Sequence, residues 1–202
     1  MSKTPNRWIG LLFISLAISL VIIDGTIVNT IFPSVIADLK LSSTEVQWVQ
    51  ESYVLVFASL LLVWGTIGDR IGRRKVVLAG LLLGACSLLP VFQGWLTHTS
   101  NNAPVAVGLM LLITLPLALV TGPQTAILAE LFPARTRYSA AALPHNLAAG
   151  WVGGLLPFFI TLINDATGNP LAGLWYPTAL LTIAFLVGLK YLPETRGVDL
   201  SK

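Results

Sequence analysis

Six long apolar stretches, separated by short polar segments, make up nearly the whole chain. Each is about 20 residues or longer, the length that an α-helix needs to cross roughly 30 Å of lipid hydrocarbon. The pattern therefore predicts six transmembrane helices, named here the first to sixth spans. They run about from Trp8 to Phe32, Val46 to Ile67, Val76 to Leu96, Pro104 to Ala129, Ser139 to Asn164 and Leu171 to Leu189.

The segments between the spans are too short to hold a soluble domain. Residues 97–104 and 165–173 contain Asn, Thr and Pro, which favour turns between helices. We therefore expect one all-α membrane domain over residues 1–202. Residues 1–96 hold three spans and the basic loop 65–75, and residues 97–202 hold three spans and a short tail.

The composition supports a membrane protein and excludes other classes. Of the 202 residues 55% are hydrophobic and only 10% charged, and the mean hydropathy is +0.81. A water-soluble domain carries about a quarter charged residues, and a disordered chain is poor in apolar ones. The chain is therefore expected to have membrane lipid as a partner, and its net charge of +3 is better explained by basic loops than by nucleic-acid binding.

The basic residues indicate how the spans are oriented. If six helices alternate in direction, eleven of the twelve Lys and Arg residues lie on one side, and Lys40 alone lies on the other. By the positive-inside rule, both termini and the loops 65–75 and 130–138 are cytoplasmic. We expect a multi-pass protein of the plasma (inner) membrane. Lys3 and Arg7 precede an apolar stretch that is too long for a signal peptide, so this stretch is expected to be a retained helix.

The loop between the second and third spans reads Gly65-Thr-Ile-Gly-Asp-Arg-Ile-Gly-Arg-Arg-Lys75. Gly65 would let its helix approach a neighbour closely, Asp69 could cap the next helix, and Gly72 would permit a tight turn. The arginines could pair with acidic residues in one conformation and release them in another. The alternative is that the loop is only a topology signal.

This loop resembles the G-x-x-x-D-R-x-G-R-R/K signature of the major facilitator superfamily, which lies between the second and third helices of that family. The segment Ile23 to Pro33 resembles a pattern of the fourteen-helix drug:proton antiporters. Residues 122–139 and 192–197 are instead similar to the metabolite:proton symporters. The mixture suggests a join near residues 65–95. The resemblance implies two three-helix inverted repeats, which together equal one half of a transporter.

Asp24 is the charged residue that lies well within a predicted span, about 24 Å along the first helix from Trp8. A carboxylate at that depth is costly unless it faces a polar cavity, finds a partner or takes up a proton. Proton uptake is what a proton-coupling site requires. A protonated Asp24 that only packs the bundle, or one that reaches the outer interface, is the alternative. Thr26 and Asn29 join the predicted proton and solute site by the family resemblance.

A second candidate site is an ion-pair network at the cytoplasmic side. Glu130 ends the fourth span and precedes Arg135 and Arg137. These groups could pair with the basic loop, and the pairs would form and break as the protein opens inward and outward; Glu194 and Arg196 could join them. The predicted gating residues are Gly65, Asp69, Arg70, Gly72, Arg73, Arg74, Glu130, Arg135 and Arg137.

These features favour a transmembrane transporter that moves a small organic solute by proton-coupled alternating access. One six-helix unit would need a homodimer or a related transporter half, since it has no second unit to move against. The alternative is a truncated or recombined fragment that inserts without transporting. An enzyme is not expected, because the chain has no HExxH motif, paired aspartates or Ser/His/Asp set. No cofactor or metal is expected, and Cys86 is the only cysteine.

Overall fold

The computed structural model describes residues 43–98, 103–131, 142, 146–169 and 171–195. The first predicted span lies outside these ranges, together with Asp24, Thr26 and Asn29. Three basic residues of the predicted network also lie outside them, Arg135, Arg137 and Arg196.

The described part of the chain is helical throughout. Its elements are α1 (Ser43–Ile71), α2 (Arg73–His98), α3 (Ala103–Leu131), a π-helical turn (Ala148–Gly153), α4 (Gly154–Thr167), a short 3-10 helix (Ala172–Leu174) and α5 (Trp175–Tyr191). The helices α1, α2 and α3 coincide with the second, third and fourth predicted spans and extend them by a few residues. The π turn with α4 corresponds to the fifth span, and α5 to the sixth.

Three of these stretches are long and apolar enough to cross a membrane, by length and composition: Glu51–Ile71, Arg73–Gln93 and Ala172–Tyr191. Leu111–Gln124 and Gly154–Thr167 are shorter apolar helical stretches. The helices therefore fit a membrane protein. The arrangement of six helices as two inverted repeats remains a prediction, because it depends on the first span.

The helix α3 lies between α1 and α2 and packs along both of them, and α2 also packs on α5. One buried cluster joins α2, α3 and α5. A second cluster joins α2, α4 and the 3-10 helix. The first contains Val77, Leu81, Leu117, Val120, Leu181 and Ala184, and the second Leu88, Phe92, Leu156 and Leu174.

The contact between α2 and α3 is close because Gly80 has no side chain. A Cβ atom at Gly80 would lie 2.7 Å from Cγ2 of Val120 and 2.9 Å from the carbonyl oxygen of Pro116. Such distances are shorter than real Cβ contacts. The two helices therefore meet backbone to backbone, as small residues allow in membrane bundles.

Candidate functional site

Four helix ends meet at one end of the bundle, which we name the basic end. There α1 ends at Ile71, α2 begins at Arg73, α3 ends at Leu131 and α5 ends at Tyr191. The charged side chains Asp69, Arg73, Glu130 and Glu194 come together at this end and are named the charge cluster.

The turn from α1 to α2 is made by a single residue, Gly72. Its φ angle is 110°, a conformation that side-chain-bearing residues rarely adopt. The N–H of Gly72 donates a hydrogen bond of 3.0 Å to the carbonyl oxygen of Gly68, which closes the last turn of α1. The tight turn predicted at Gly72 is confirmed.

Arg73 is the centre of the charge cluster. Its Nε and Nη2 atoms donate hydrogen bonds of 3.0 and 2.8 Å to Oδ1 of Asp69. Asp69 lies four residues earlier, near the end of α1. Its Nη1 forms an ion pair with Oε2 of Glu130 at the end of α3. One guanidinium group thus links α1, α2 and α3.

The two carboxylates that bind Arg73 differ in exposure. The side chain of Glu130 is 8% exposed and that of Arg73 is 15% exposed, whereas that of Asp69 is 60% exposed. An exposed ion pair contributes under about 1 kcal/mol. Removing one member of a buried pair costs about 3–5 kcal/mol, because the other charge is left uncompensated. The pair with Glu130 is therefore the stronger link.

Glu194 caps the first turn of α2. Its Oε1 atom accepts a 3.0 Å hydrogen bond from the backbone N–H of Arg73, and its negative charge lies at the positive end of the helix dipole. The expectation that Asp69 would be this cap is wrong. Asp69 binds the Arg73 side chain instead, and a carboxylate 121 residues away along the chain accepts the backbone hydrogen.

Glu194 also gives a second reason for glycine at position 72. A Cβ atom there would lie 2.6 Å from Oε2 of Glu194. The carboxylate therefore sits against the bare backbone of the turn. The turn at Gly72 and the segment that follows α5 are therefore in direct contact.

The other basic residues of the loop act differently from the prediction. Arg74 donates a 2.6 Å hydrogen bond from Nη2 to the carbonyl oxygen of Leu189, so it ties α2 to the end of α5 through the backbone and not through an acid. Arg70 is exposed on α1 and forms no ion pair with an acid among the described residues. The prediction that Asp69, Arg73 and Glu130 lie together is confirmed, and Arg70 is not part of their network.

Gly65 lies where α1 approaches α3, as predicted. The facing residue is Gly122: a Cβ atom at Gly122 would lie 3.0 Å from the backbone nitrogen of Gly65 and 3.2 Å from the carbonyl oxygen of Leu61. This close approach occurs about one turn before Asp69 on α1. It brings α1 and α3 close enough for Arg73 to contact acids on both helices.

The model of the Major Facilitator Superfamily matches residues 14–201. The chain belongs to this family. Its members are membrane transporters and not enzymes. The resemblance to this family, which the loop motif indicated, is therefore confirmed.

The relatives include proteins named for drug resistance and proteins named for metabolite transport. The chain is 48% identical over 86 residues to the puromycin resistance protein pur8 of Streptomyces alboniger, a match that covers 42% of this chain and 17% of the relative. It is 24% identical over 200 residues to the riboflavin transporter RibZ of Clostridioides difficile, covering 94% of this chain and 40% of the relative. It is 35% identical over 153 residues to a Haemophilus influenzae protein named for metabolite transport, covering 73% and 33%.

The chain thus spans less than half the length of each of these relatives. The matches to the resistance protein and to the metabolite transport protein cover 42% and 73% of the chain, so they share part of it. Both resemblances stated from the sequence therefore have counterparts among the relatives.

Proposed function

We propose that the chain is a six-span unit, residues 1–202, of a proton-coupled secondary transporter that moves a small organic solute by alternating access. The observation that carries the proposal is the charge cluster, which joins the ends of α1, α2 and α3 to the segment after α5. In the proposed orientation the basic end and both termini are cytoplasmic, because Lys and Arg collect there.

The charge cluster is suited to a gate. While Arg73 binds Asp69 and Glu130, the ends of three helices are held together. Opening this end requires the pair between Arg73 and Glu130 to separate or to enter water as a pair. Such pairs give two discrete states, since an intermediate with one buried, unpaired charge is costly.

Proton coupling is assigned to Asp24, and Thr26 and Asn29 are assigned to the solute site by the family resemblance. The support is the carboxylate's position within an apolar span and the resemblance of its segment to drug:proton antiporters. The relatives are named for puromycin resistance, riboflavin transport and metabolite transport. The solute of this chain is accordingly proposed to be a small organic molecule.

A second six-helix unit is part of the proposal, either another copy of the chain or a related half. The relatives are more than twice as long as the segment that this chain matches. Two units related by an axis along the membrane normal would provide the two sides of an alternating-access site.

Transport in proteoliposomes tests the function. Uptake of riboflavin and puromycin, the solutes in the names of two relatives, would be measured with and without an imposed pH gradient. Mass measurement in detergent would first establish whether the chain is a monomer or a dimer. We expect gradient-driven movement of one solute, and we expect Asp24→Asn to abolish the dependence on the gradient.

The same experiment separates the proposal from its alternative. The alternative is an inactive fragment. It predicts that the chain inserts and is monodisperse but moves none of the solutes, with or without the gradient and with or without a related half. If Asp24→Asn leaves gradient-driven transport unchanged, the chain is a transporter but Asp24 is not its coupling site.

A further inference from the structure

The exposed faces of α2 and α5 are mainly apolar, and each ends in a lysine at the basic end. On α2, Leu82 is exposed, and Lys75 is exposed two helical turns nearer the basic end. On α5, Ile183 and Leu186 are exposed, and Lys190 is exposed one turn after Leu186. Residues at these spacings share one face of an α-helix. Each face therefore offers an apolar surface that leads to a positive charge.

The two lysines belong to helices that are tied together at this end. The helices α2 and α5 pack on each other, and Nη2 of Arg74 donates its 2.6 Å hydrogen bond to the carbonyl oxygen of Leu189. Lys75 follows Arg74 in the chain, and Lys190 follows Leu189. The axes of packed helices are about 8–10 Å apart, a distance that two lysine side chains span together. Both ammonium groups can therefore reach one ligand at the ends of these helices.

Neither lysine is neutralised by an ion pair within the described residues. The ion pairs found there both use Arg73 as the cation. The Nζ atom of Lys190 lies 5.4 Å from the centre of the Tyr191 ring, a contact that attracts the ammonium group but leaves its charge in place. The end of the α2–α5 pair thus carries two positive charges that an anion could offset.

Aromatic residues indicate that these charges lie at the depth of lipid headgroups. Trp175 begins α5 and Tyr191 ends it, and both side chains are exposed. The helix has 17 residues and is about 25 Å long, and Trp and Tyr collect at the two interfaces of a bilayer. Lys190 lies beside Tyr191, and Lys75 lies in the first turn of α2 at the same end of the bundle. The lysines are therefore placed to meet headgroups, and the apolar faces to meet acyl chains.

We propose that the end of the α2–α5 pair binds one anionic membrane phospholipid. The lipid phosphate accepts hydrogen bonds from Lys75 and Lys190, and its acyl chains lie along Leu82, Ile183 and Leu186. A lipid is favoured over a free phosphate ion because only a lipid uses the charges and the apolar faces together. Each lysine near an anionic lipid is expected to contribute a factor of about five in affinity.

Lipid binding to the full chain in detergent tests the proposal. The purified, delipidated chain would be titrated with phosphatidylglycerol and with phosphatidylcholine of the same acyl chains, and native mass spectrometry would count the bound lipids. We expect one phosphatidylglycerol to bind at least about fivefold more tightly, because the choline group of phosphatidylcholine offsets its phosphate charge. Equal affinities for the two lipids would overturn the proposal.

Substitutions identify the cations that hold the phosphate. Lys75→Gln and Lys190→Gln should each weaken phosphatidylglycerol binding about fivefold, and the double variant should weaken it more than either. Lys75→Arg keeps the charge and should retain binding. All these side chains are exposed, and each variant would be required to keep the size-exclusion profile of the parent chain.

Arg70→Gln is the matched control. Arg70 is also an exposed cation at the basic end, but it lies on α1, which does not pack along α5 in the described part of the chain. We expect this variant to bind phosphatidylglycerol as the parent chain does. A loss as large as that of the lysine variants would mean that the whole basic end attracts anionic lipid, and it would overturn a site between α2 and α5.

Inorganic phosphate distinguishes a lipid from a free ion. Potassium phosphate and potassium chloride would be added to the lipid-bound chain at equal ionic strength, so that screening of the charges is the same. We expect the two salts to leave the same fraction of phosphatidylglycerol bound. Displacement by phosphate alone would indicate a phosphate-ion site and overturn the lipid assignment. Binding is measured without transport, so these outcomes do not depend on the proposed function.

Discussion

Arg73 makes more links than its place in a basic loop requires. Its side chain binds acids on α1 and α3, and its backbone N–H donates to Glu194. The partners are unequal, because Glu130 is buried and Asp69 is exposed. Ion pairs in water are weak and buried pairs are costly to break, so stability at the basic end depends mainly on Glu130.

Neutralising the two acids should separate their contributions. Glu130→Gln is expected to lower the free energy of unfolding by about 3–5 kcal/mol, because Arg73 stays buried without its charge partner. Asp69→Asn is expected to lower it by under about 1 kcal/mol. Thermal unfolding of both variants in the same detergent, followed by circular dichroism, measures the difference. Equal losses would contradict the ranking.

Gly72 is constrained by its backbone and by its neighbour. Gly72→Ala should destabilise the protein by about 1–3 kcal/mol, since φ is 110° there and the new methyl group would meet the Glu194 carboxylate. The double variant Gly72→Ala with Glu194→Ala tests the second cause in a thermodynamic cycle. We expect the double variant to lose less stability than the sum of the single variants, and strict additivity would refute the steric part.

At the scale of elements, the bundle is organised around α3, which packs on α1 at Gly122 and on α2 opposite Gly80. Two different pairs of helices thus use missing side chains to come close. Dispersion contacts and shape decide helix association in lipid, where apolar burial gives little preference. These two positions therefore set the distances between the helices that carry the charge cluster.

Gly80→Ala should force α2 away from α3, because no flexible side-chain end can make way for the added Cβ. We expect a loss of about 1–3 kcal/mol, typical of an overpacked core. Gly108→Ala is a matched control within α3, where nothing lies within 4 Å of an added Cβ; it is expected to be neutral or to stabilise by up to about 1 kcal/mol. Unfolding temperatures in one detergent compare them, and a neutral Gly80→Ala would refute the packing argument.

Elements could be predicted where the residues that determine them are close together in the sequence. The limits of α1, α2, α3 and α5 followed from long apolar runs, and Gly72 followed from a turn between adjacent helices. Glu194 was expected only as a further member of the network, because its contact with the Arg73 backbone joins residues 121 positions apart. Gly80 carried no motif, so its close contact with α3 depended on packing that the sequence did not reveal.

At the scale of the whole molecule, basic side chains of the described residues collect at one end of the helix bundle. The described helix ends Ile71, Arg73, Leu131 and Tyr191 meet at the basic end, which holds Arg70, Arg73, Arg74, Lys75 and Lys190. In membrane proteins, ends rich in Lys and Arg are usually cytoplasmic. The same end holds the charge cluster, so in the proposed orientation the gate would face the cytoplasm.

Reporter fusions test this orientation. A fluorescent protein that matures only in the cytoplasm should fluoresce when fused after Lys202, and alkaline phosphatase should be inactive there. Phosphatase inserted within residues 97–104, at the opposite end of α2, should be active. Active phosphatase after Lys202 would reverse the orientation of the whole unit.

The cap that Glu194 places on α2 also has a consequence for biogenesis. The chain is synthesised from its N-terminus, so α1 and α2 leave the ribosome well before residue 194 exists. Until then the Arg73 amide has no carboxylate to accept its hydrogen. The basic end is therefore completed last. In a nascent chain arrested before Glu194, the basic loop should be cleaved by proteases that the finished protein resists.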